Sequence, residues 1–487
     1  MSKISKVFKS FPKTFWVANT LELFERWAWY GLFAVLALYL TQSTDEGALG
    51  FTQSQKGSIM GTVTAILYFL PLITGSIADK VGYKKVLIIA FVILSSSYLL
   101  MGYVTSYFTV YVAFLLVALG AALFKPIVSA TIAKTTDDNT SSIGFGMFYM
   151  MVNIGGLVGP IFSSKLREAY GWRIVFIMAA SVIFLNLILV IIFYKEPYRE
   201  KTTDALMKSI KQSFINIWTA LKDMKLLIFL IIMVGFWTMF NQLFYTLPNF
   251  IDQWVDTRSV YNALASLSPS LASAIGTPEK TIAPEMMVTL DAGAIVFFQI
   301  LISSLVMKLR PVNGIITGIL VNTIGIGLAF SQHNGLFVVV GIFVFAIGEM
   351  ASSPKFTEYI GKIAPRNKEA LYMGTSFLPV AAGNFITGYL SGDVYQAWSD
   401  KITLLKQEVA VRGLSIPEIS DKFTQNDYVH QAEKMMGMSS DQLTRYLWDT
   451  YNPEKIWILF SAIGVATIIG LFLYDKFILK GVSSPEK

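Results

Sequence analysis

Long apolar segments separated by short polar turns recur along almost the whole chain. A run of about 20 predominantly apolar residues is long enough to cross a lipid bilayer as a helix. The pattern predicts twelve such spans, at about residues 15–41, 55–78, 84–104, 107–133, 141–166, 172–194, 225–250, 285–309, 313–331, 335–362, 369–392 and 454–478. Because only helices and closed barrels satisfy their backbone groups inside a bilayer, we expect an all-α membrane protein.

Three longer loops interrupt this rhythm and suggest a domain organisation. The first, residues 195–224, separates an N-terminal six-helix bundle, 1–194, from a C-terminal one, 225–487. Apolar residues recur at helical spacing among lysines within this linker, which predicts an amphipathic helix on the membrane surface. The other two loops, 251–284 and 393–453, fall on the opposite side of the membrane. A capping pattern in 393–453 predicts short surface helices, and we interpret this loop as a cap or spacer.

Basic residues cluster in the short loops of one side. They follow the basic N-terminus and the even-numbered spans: Lys80, Lys84, Lys85, Lys308, Arg310, Lys362, Arg366, Lys368, Lys476 and Lys480. Because lysine and arginine accumulate on the cytoplasmic side, both termini are predicted to be cytoplasmic. The net charge of +7 arises from these loops, so we expect no nucleic-acid partner.

The composition supports a membrane protein and removes several kinds of chemistry. The 487 residues are 54% hydrophobic and 15% charged, whereas soluble domains carry about 25% charged residues. There is no cysteine, and the two histidines, His333 and His430, fall in predicted outer loops. Thiol chemistry is therefore excluded, and histidine is not the expected proton carrier. Trp16, Trp254 and Trp457 are expected in the interfacial aromatic belt.

Ionisable residues inside the apolar spans are the strongest functional signal. Glu22, Glu25 and Arg26 stand at i, i+3 and i+4, which places them on one helix face. A charge at the bilayer centre costs about 3 kcal/mol on insertion scales. Arg26 can hold both carboxylates ionised, and a lost pairing would favour proton uptake, so the set suits proton transfer. The alternative is a static salt-bridge cluster that locks the first helix to a neighbour.

Two further ionisable residues, Lys125 and Glu349, lie near the middle of later spans. Asp291, Lys355 and Glu358 also fall within spans, and the pattern assigns them no role, although Lys355 and Glu358 could pair at i, i+3. No metal-ligand cluster, phosphate-binding loop or nucleophile triad is present, so we expect neither an enzyme nor a resident cofactor or metal.

Several motifs resemble known families. The turn Gly75-Ser-Ile-Ala-Asp79-Lys-Val-Gly82-Tyr-Lys84-Lys85 resembles the loop signature of the major facilitator superfamily, which implies twelve helices in two pseudo-symmetric six-helix halves. Five other motifs, in order, are similar to those of the proton-dependent oligopeptide transporter (POT/PTR) family: Glu22-x-x-Glu25-Arg26-Trp27-x-Trp29-Tyr30-Gly31, Tyr68-Phe-Leu-Pro71, Gly120-x-x-x-x-Lys125-Pro126, Phe148-Tyr149-x-x-x-Asn153-x-Gly155-Gly156 and Gly348-Glu349-Met350. Phe236-Trp237-x-x-Phe240-x-Gln242 is more weakly similar to a motif of the same family.

The resemblance implies a proton-coupled symporter that imports di- and tripeptides by alternating access, with the proton as coupling ion. Its proton-coupling residues would be Glu22, Glu25, Arg26 and Lys125, with Lys125 paired to a carboxylate of the first helix. Lys125 would also bind the peptide carboxylate and Glu349 the ammonium. The remaining substrate-binding residues implied are Tyr30, Tyr68, Asn153 and Gln242.

Two departures leave the substrate open. Phe33 stands where the family has an arginine, and Asn241 where it has an acid. A modified peptide or another organic anion is therefore the alternative substrate. A non-transporting receptor built on the same fold, with 393–453 as its working part, is a further alternative. The expected partners are short peptides, protons and the lipid bilayer, and we expect a monomer in the bacterial inner membrane.

Overall fold

The computed structural model describes residues 10–137, 140–197, 206–365 and 368–479. Seven helices occupy the first predicted half: α1 Lys13–Thr41, α2 Gln53–Phe69, α3 Pro71–Val81, α4 Tyr83–Met101, α5 Tyr107–Lys134, α6 Ser141–Tyr170 and α7 Trp172–Phe193. α2 and α3 form one span that is bent by 46°. Pro71 begins α3 and lacks a backbone donor, which accounts for the bend. Seven helices thus give six spans.

The rest of the described chain is also helical. Its helices are α8 Leu206–Leu221, α9 Met224–Phe240, α10 Gln242–Tyr245, α11 Leu247–Trp254, α12 Arg258–Leu267, α13 Pro269–Ile275, α14 Pro284–Val306, α15 Pro311–Ile324, α16 Gly335–Ile363, α17 Glu369–Thr375, α18 Phe377–Tyr389, α19 Tyr395–Trp398, α20 Lys401–Val411, α21 Gln425–Met436, α22 Ser440–Tyr451 and α23 Lys455–Leu473. One-turn π-helices extend α15, α18 and α23.

Each of the twelve predicted spans coincides with a helix or with consecutive helices. By length and hydropathy alone, nine helices of the described residues could cross a membrane, or ten if the bent pair counts as one span. α1 is not among them, because Glu22, Glu25 and Arg26 lower its hydropathy. The prediction of an all-α membrane protein is confirmed.

Two large buried clusters form the hydrophobic core. One contains residues between Phe11 and Tyr194 together with Tyr245, and the other contains residues between Ala220 and Tyr474. α8 lies in the predicted linker and packs against both α3 and α17. The division of the chain into two bundles at residues 195–224 remains a prediction. Among the basic residues that set the orientation, those outside the described ranges are Lys3, Lys6, Lys9, Arg366 and Lys480.

The interfacial placement of two tryptophans was wrong. Trp254 and Trp457 are 1% and 0% exposed, whereas Trp16 is 36% exposed. Trp254 Nε1 donates to the Ser399 carbonyl oxygen at 2.7 Å, and both rings pack against aromatic residues of neighbouring helices. The long outer loop covers this region, so the rings lie inside protein rather than at a lipid surface.

Short helices occur in loop 393–453, as predicted, and α20 packs against both α21 and α22. We call these three helices the cap. Glu408 of α20 is the polar centre of this cap. It accepts hydrogen bonds from Arg412 Nε at 2.6 Å, Tyr446 OH at 2.7 Å and Tyr451 OH at 2.9 Å. Burial opposes ionisation, but these hydrogen bonds outweigh it and lower the pKa of the Glu408 carboxyl group.

The two halves are in close contact on the outer side. A Cβ atom added at Gly61 of α2 would lie 2.7 Å from Gly388 Cα of α18, so the two backbones touch. Lys56 is fully buried between the halves, and its Nζ donates to the Tyr245 carbonyl oxygen at 3.0 Å. The outer passage between the halves is therefore closed.

Candidate functional site

The charged face of α1 has the arrangement that its spacing predicts. Arg26 Nε lies 2.5 Å from Glu25 Oε2 and 3.5 Å from Glu22 Oε1. All three side chains are buried, with Glu25 0% exposed and Glu22 6%. Arg26 is therefore the common partner of both carboxylates, and it holds Glu25 more tightly. Because buried charges are costly to leave unpaired, this pairing offsets part of the cost of burying the three side chains.

Glycines of α6 form the wall behind this cluster. A Cβ atom added at Gly155 would lie 2.7 Å from Arg26 Cβ and 2.7 Å from the Leu23 carbonyl oxygen. Only glycine fits at this crossing, which agrees with the close helix packing that small residues allow in membranes. The rear of the cluster is thus sealed, and its remaining access is from the cavity in front.

A cavity of about 500 Å³, which we call the inner cavity, opens in front of the cluster, towards the side that carries α8. The N-terminal half contributes Glu22, Arg26 and Lys125 to its lining. The C-terminal half contributes Leu371, Gly374 and Phe377, and α8 contributes Ser213, Asn216 and Ile217. The outer passage is closed, whereas this cavity is open. The space between the halves is therefore accessible from the side of the basic loops.

Lys125 is half-buried at the cavity wall, and its Nζ lies 4.3 Å from the centroid of the Tyr68 ring. The proton-coupling role expected of Lys125 stays a prediction, but in the described residues no salt bridge joins it to a carboxylate of α1. The reason is that Arg26 already occupies both Glu22 and Glu25. Among the described residues, the Lys125 amino group therefore lines the cavity and forms no ion pair with a carboxylate.

Glu349 lines a second, smaller cavity of about 80 Å³ that lies between the halves. Tyr30 of α1 and Asn153 of α6 line it too, so the structure brings three predicted substrate-binding residues together. Phe33 and Phe244 form its apolar wall. Tyr30 is one turn from Arg26 on α1, so the two cavities are about 5–6 Å apart along that helix.

Tyr68 and Gln242 have different surroundings. The Tyr68 ring stacks on Phe377, which lines the inner cavity, with centroids 6.5 Å apart. Gln242 is fully buried, and its side chain bonds to Thr238 and Thr246 of its own chain segment. The structure does not bring Gln242 to either cavity in this conformation.

Sequence reasoning missed two functional candidates. Asp291 of α14 is in hydrogen-bond contact with Glu349, and nothing local in the pattern pairs these two spans. Lys56 lies at the outer end of α2 and at the start of predicted span 55–78, and the sequence pattern gave it no role. The suggested pairing of Lys355 and Glu358 is confirmed, at 2.9 Å between Nζ and Oε2. Within the described ranges, no group of three or more His, Asp or Glu side chains could hold a metal ion.

A family model described as Major Facilitator Superfamily matches residues 20–278, which is more than half of the chain. Among curated relatives, the uncharacterized transporter YclF of Bacillus subtilis (strain 168) is 30% identical over 186 residues, 38% of this chain and 38% of that protein. Dipeptide and tripeptide permease A of Escherichia coli (strain K12) is 29% identical over 181 residues, 36% of this chain and 35% of the permease. These matches span little more than a third of the length of the relatives.

Solved structures extend the similarity of fold to nearly the whole chain. A POT family transporter in complex with 5-aminolevulinic acid has a TM-score of 0.70 and 17% identity, covering 96% of this chain and 99% of that one. A peptide transporter POT in complex with sulfate has a TM-score of 0.64 and 18% identity, covering 96% of this chain and 95% of that one. The chain belongs to the Major Facilitator Superfamily.

Proposed function

We propose that this protein is a proton-coupled symporter that imports short peptides by alternating access. The observation that carries the proposal is the distribution of charge around the two neighbouring cavities. Lys125 presents an ammonium group from the N-terminal half, and Glu349 presents a carboxyl group from the C-terminal half. A zwitterionic peptide needs an anion and a cation of this kind, held apart in a site of low dielectric.

The spacing supports a substrate of dipeptide size. Two residues in extended conformation span about 7 Å. Arg26 and Tyr30, which line the two cavities, are four residues and so about 6 Å apart along α1. The inner cavity gives room for side chains, and Tyr30, Tyr68 and Asn153 supply hydroxyl and amide groups near the path between Lys125 and Glu349. Glu22 and Arg26 line the same inner cavity, so a proton acceptor lies close to the proposed carboxylate site.

The experiment is a set of binding titrations with a dipeptide, its C-terminal amide and its N-acetyl derivative. Lys125→Ala should abolish the preference for the free acid over the amide. Glu349→Gln should abolish the preference for the free amine over the acetylated form. Losing one partner of a desolvated charge pair typically costs about 2–5 kcal/mol, which is at least a tenfold change in Kd. Lys355→Ala is the matched control, because Lys355 is already paired with Glu358 and should leave both preferences intact.

A retained preference for acid over amide in the Lys125→Ala variant would contradict the role of Lys125. If the wild-type protein binds acid and amide equally, the substrate is not an ordinary peptide. The second candidate is then a modified peptide or another organic anion. Phe33 favours this candidate, because it places an aromatic ring packed on Trp29 and Tyr245 where the family resemblance implies an arginine.

We also propose that the protein acts in the bacterial inner membrane with both termini in the cytoplasm. The relatives named above are bacterial, and the basic loops support the orientation. Membership of a transporter family agrees with the prediction that the protein is not an enzyme. The expectation of a functional monomer remains a prediction.

A further inference from the structure

Asp291 is a buried acid to which the proposed mechanism gives no role. It lies on α14, is 4% exposed and lines the smaller cavity beside Glu349 of α16. The two carboxyl groups are in hydrogen-bond contact with each other. Their outer oxygens, Asp291 Oδ1 and Glu349 Oε2, are buried and have no hydrogen-bond partner in the described part of the chain.

No cation accompanies this pair. In the described residues neither carboxyl group forms a salt bridge, and Arg26 of α1 is already engaged by its own two carboxylates. The titratable groups that face the pair are the hydroxyl groups of Tyr30 on α1 and Tyr149 on α6. From α10, Phe244 lines the same cavity.

Two ionised carboxylates in contact would place like charges together in a site with little water and no compensating cation. Such dyads resolve the conflict by sharing one proton, which forms a hydrogen bond between the two groups. A single shared proton leaves the pair with one negative charge. One negative charge is also what a single ammonium group requires.

We propose that Asp291 and Glu349 share one proton and form a second proton-binding site, in the half opposite Glu22, Glu25 and Arg26. The proposal deepens the proposed function, because it places a titratable proton at the carboxyl group that would receive the peptide ammonium. Asp291 is then a residue that sets the charge of that site.

The test is infrared spectroscopy of the purified protein in liposomes at neutral pH, without substrate or gradient. A protonated carboxyl group gives a carbonyl stretching band that an ionised carboxylate lacks. Asp291→Asn and Glu349→Gln should each remove one such band, because the introduced amide donates a hydrogen bond to the remaining carboxylate in place of the shared proton. Glu22→Gln should keep the band of the pair, as should Glu358→Gln, whose carboxylate on α16 is held by lysines.

Two results would overturn the inference: a wild-type protein without the band, or a band that survives in both Asp291→Asn and Glu349→Gln. Folding of each variant is checked by its melting curve, and either of the two variants suffices for the comparison. The outcome is independent of the proposed function. A protein that shows the band but does not bind peptides would refute the transport proposal and leave the shared proton in place.

Discussion

The two carboxylates of α1 differ in burial and in their distance from Arg26, and this difference gives a quantitative prediction. Glu25 is 0% exposed and lies 2.5 Å from Arg26 Nε, whereas Glu22 is 3.5 Å away and lines the inner cavity. Glu25→Gln leaves a buried guanidinium without its main partner, while Glu22→Gln removes the longer contact. We therefore expect Glu25→Gln to lower stability much more than Glu22→Gln.

The magnitudes follow from the burial of each pair. Breaking a buried ion pair by removing one partner costs about 3–5 kcal/mol. Removing the more weakly held partner leaves the tighter pair intact, and it should cost about 1 kcal/mol, the scale of one net hydrogen bond. The assay is unfolding of the purified protein by a denaturing detergent, with both variants and the wild type at the same pH.

The same variants separate stability from coupling. Glu22 is the carboxylate that a proton can reach from the cavity, so Glu22→Gln should lose proton-driven uptake but keep counterflow exchange. Equal unfolding midpoints for the two variants, or a larger loss in Glu22→Gln, would refute the division of roles. Proton-driven uptake at the wild-type rate in Glu22→Gln would remove this residue from coupling.

Two further predictions concern closure and the outer cap. Gly61→Val should prevent outer closure, because its Cβ would meet the Gly388 backbone at 2.7 Å. Labelling of Thr41→Cys from outside should then rise. Gly146→Val is the control: nothing lies within 4 Å of its Cβ, so it should leave the labelling unchanged. The cysteine-free sequence provides a clean background for this labelling. Glu408→Gln should destabilise the cap at neutral pH by about 1–3 kcal/mol. Because the pKa of Glu408 is lowered in the folded state, this contribution is present above the unfolded pKa, and the difference from wild type should vanish as pH falls through the lowered value; thermal melts from pH 7 to pH 3 measure it.

Hydrophobic pattern predicted much of this fold, because a bilayer demands long apolar helices and penalises charge. The twelve spans were visible for that reason, as was the pairing of Glu22, Glu25 and Arg26 on one helix face. These features depend on spacing within one helix, which a sequence displays directly.

Contacts between helices were beyond this reasoning. Asp291 and Glu349 lie on different spans, and no local period shows that their helices bring them together. In the described residues Lys125 forms no salt bridge with Glu22 or Glu25, because Arg26 contacts both carboxylates. Trp254 carried the pattern of an interfacial residue, but a distant loop covers it. In each case the missing information was the tertiary neighbour rather than the residue type.

The central proposal is that peptide import is driven by an inward proton gradient. The most direct measurement is uptake of a labelled dipeptide into proteoliposomes that contain the purified protein, with and without an inward pH gradient. We predict accumulation above equilibrium only with the gradient, and its loss when a protonophore is added. Uptake that merely equilibrates, at the same rate with and without the gradient, would contradict proton-coupled symport.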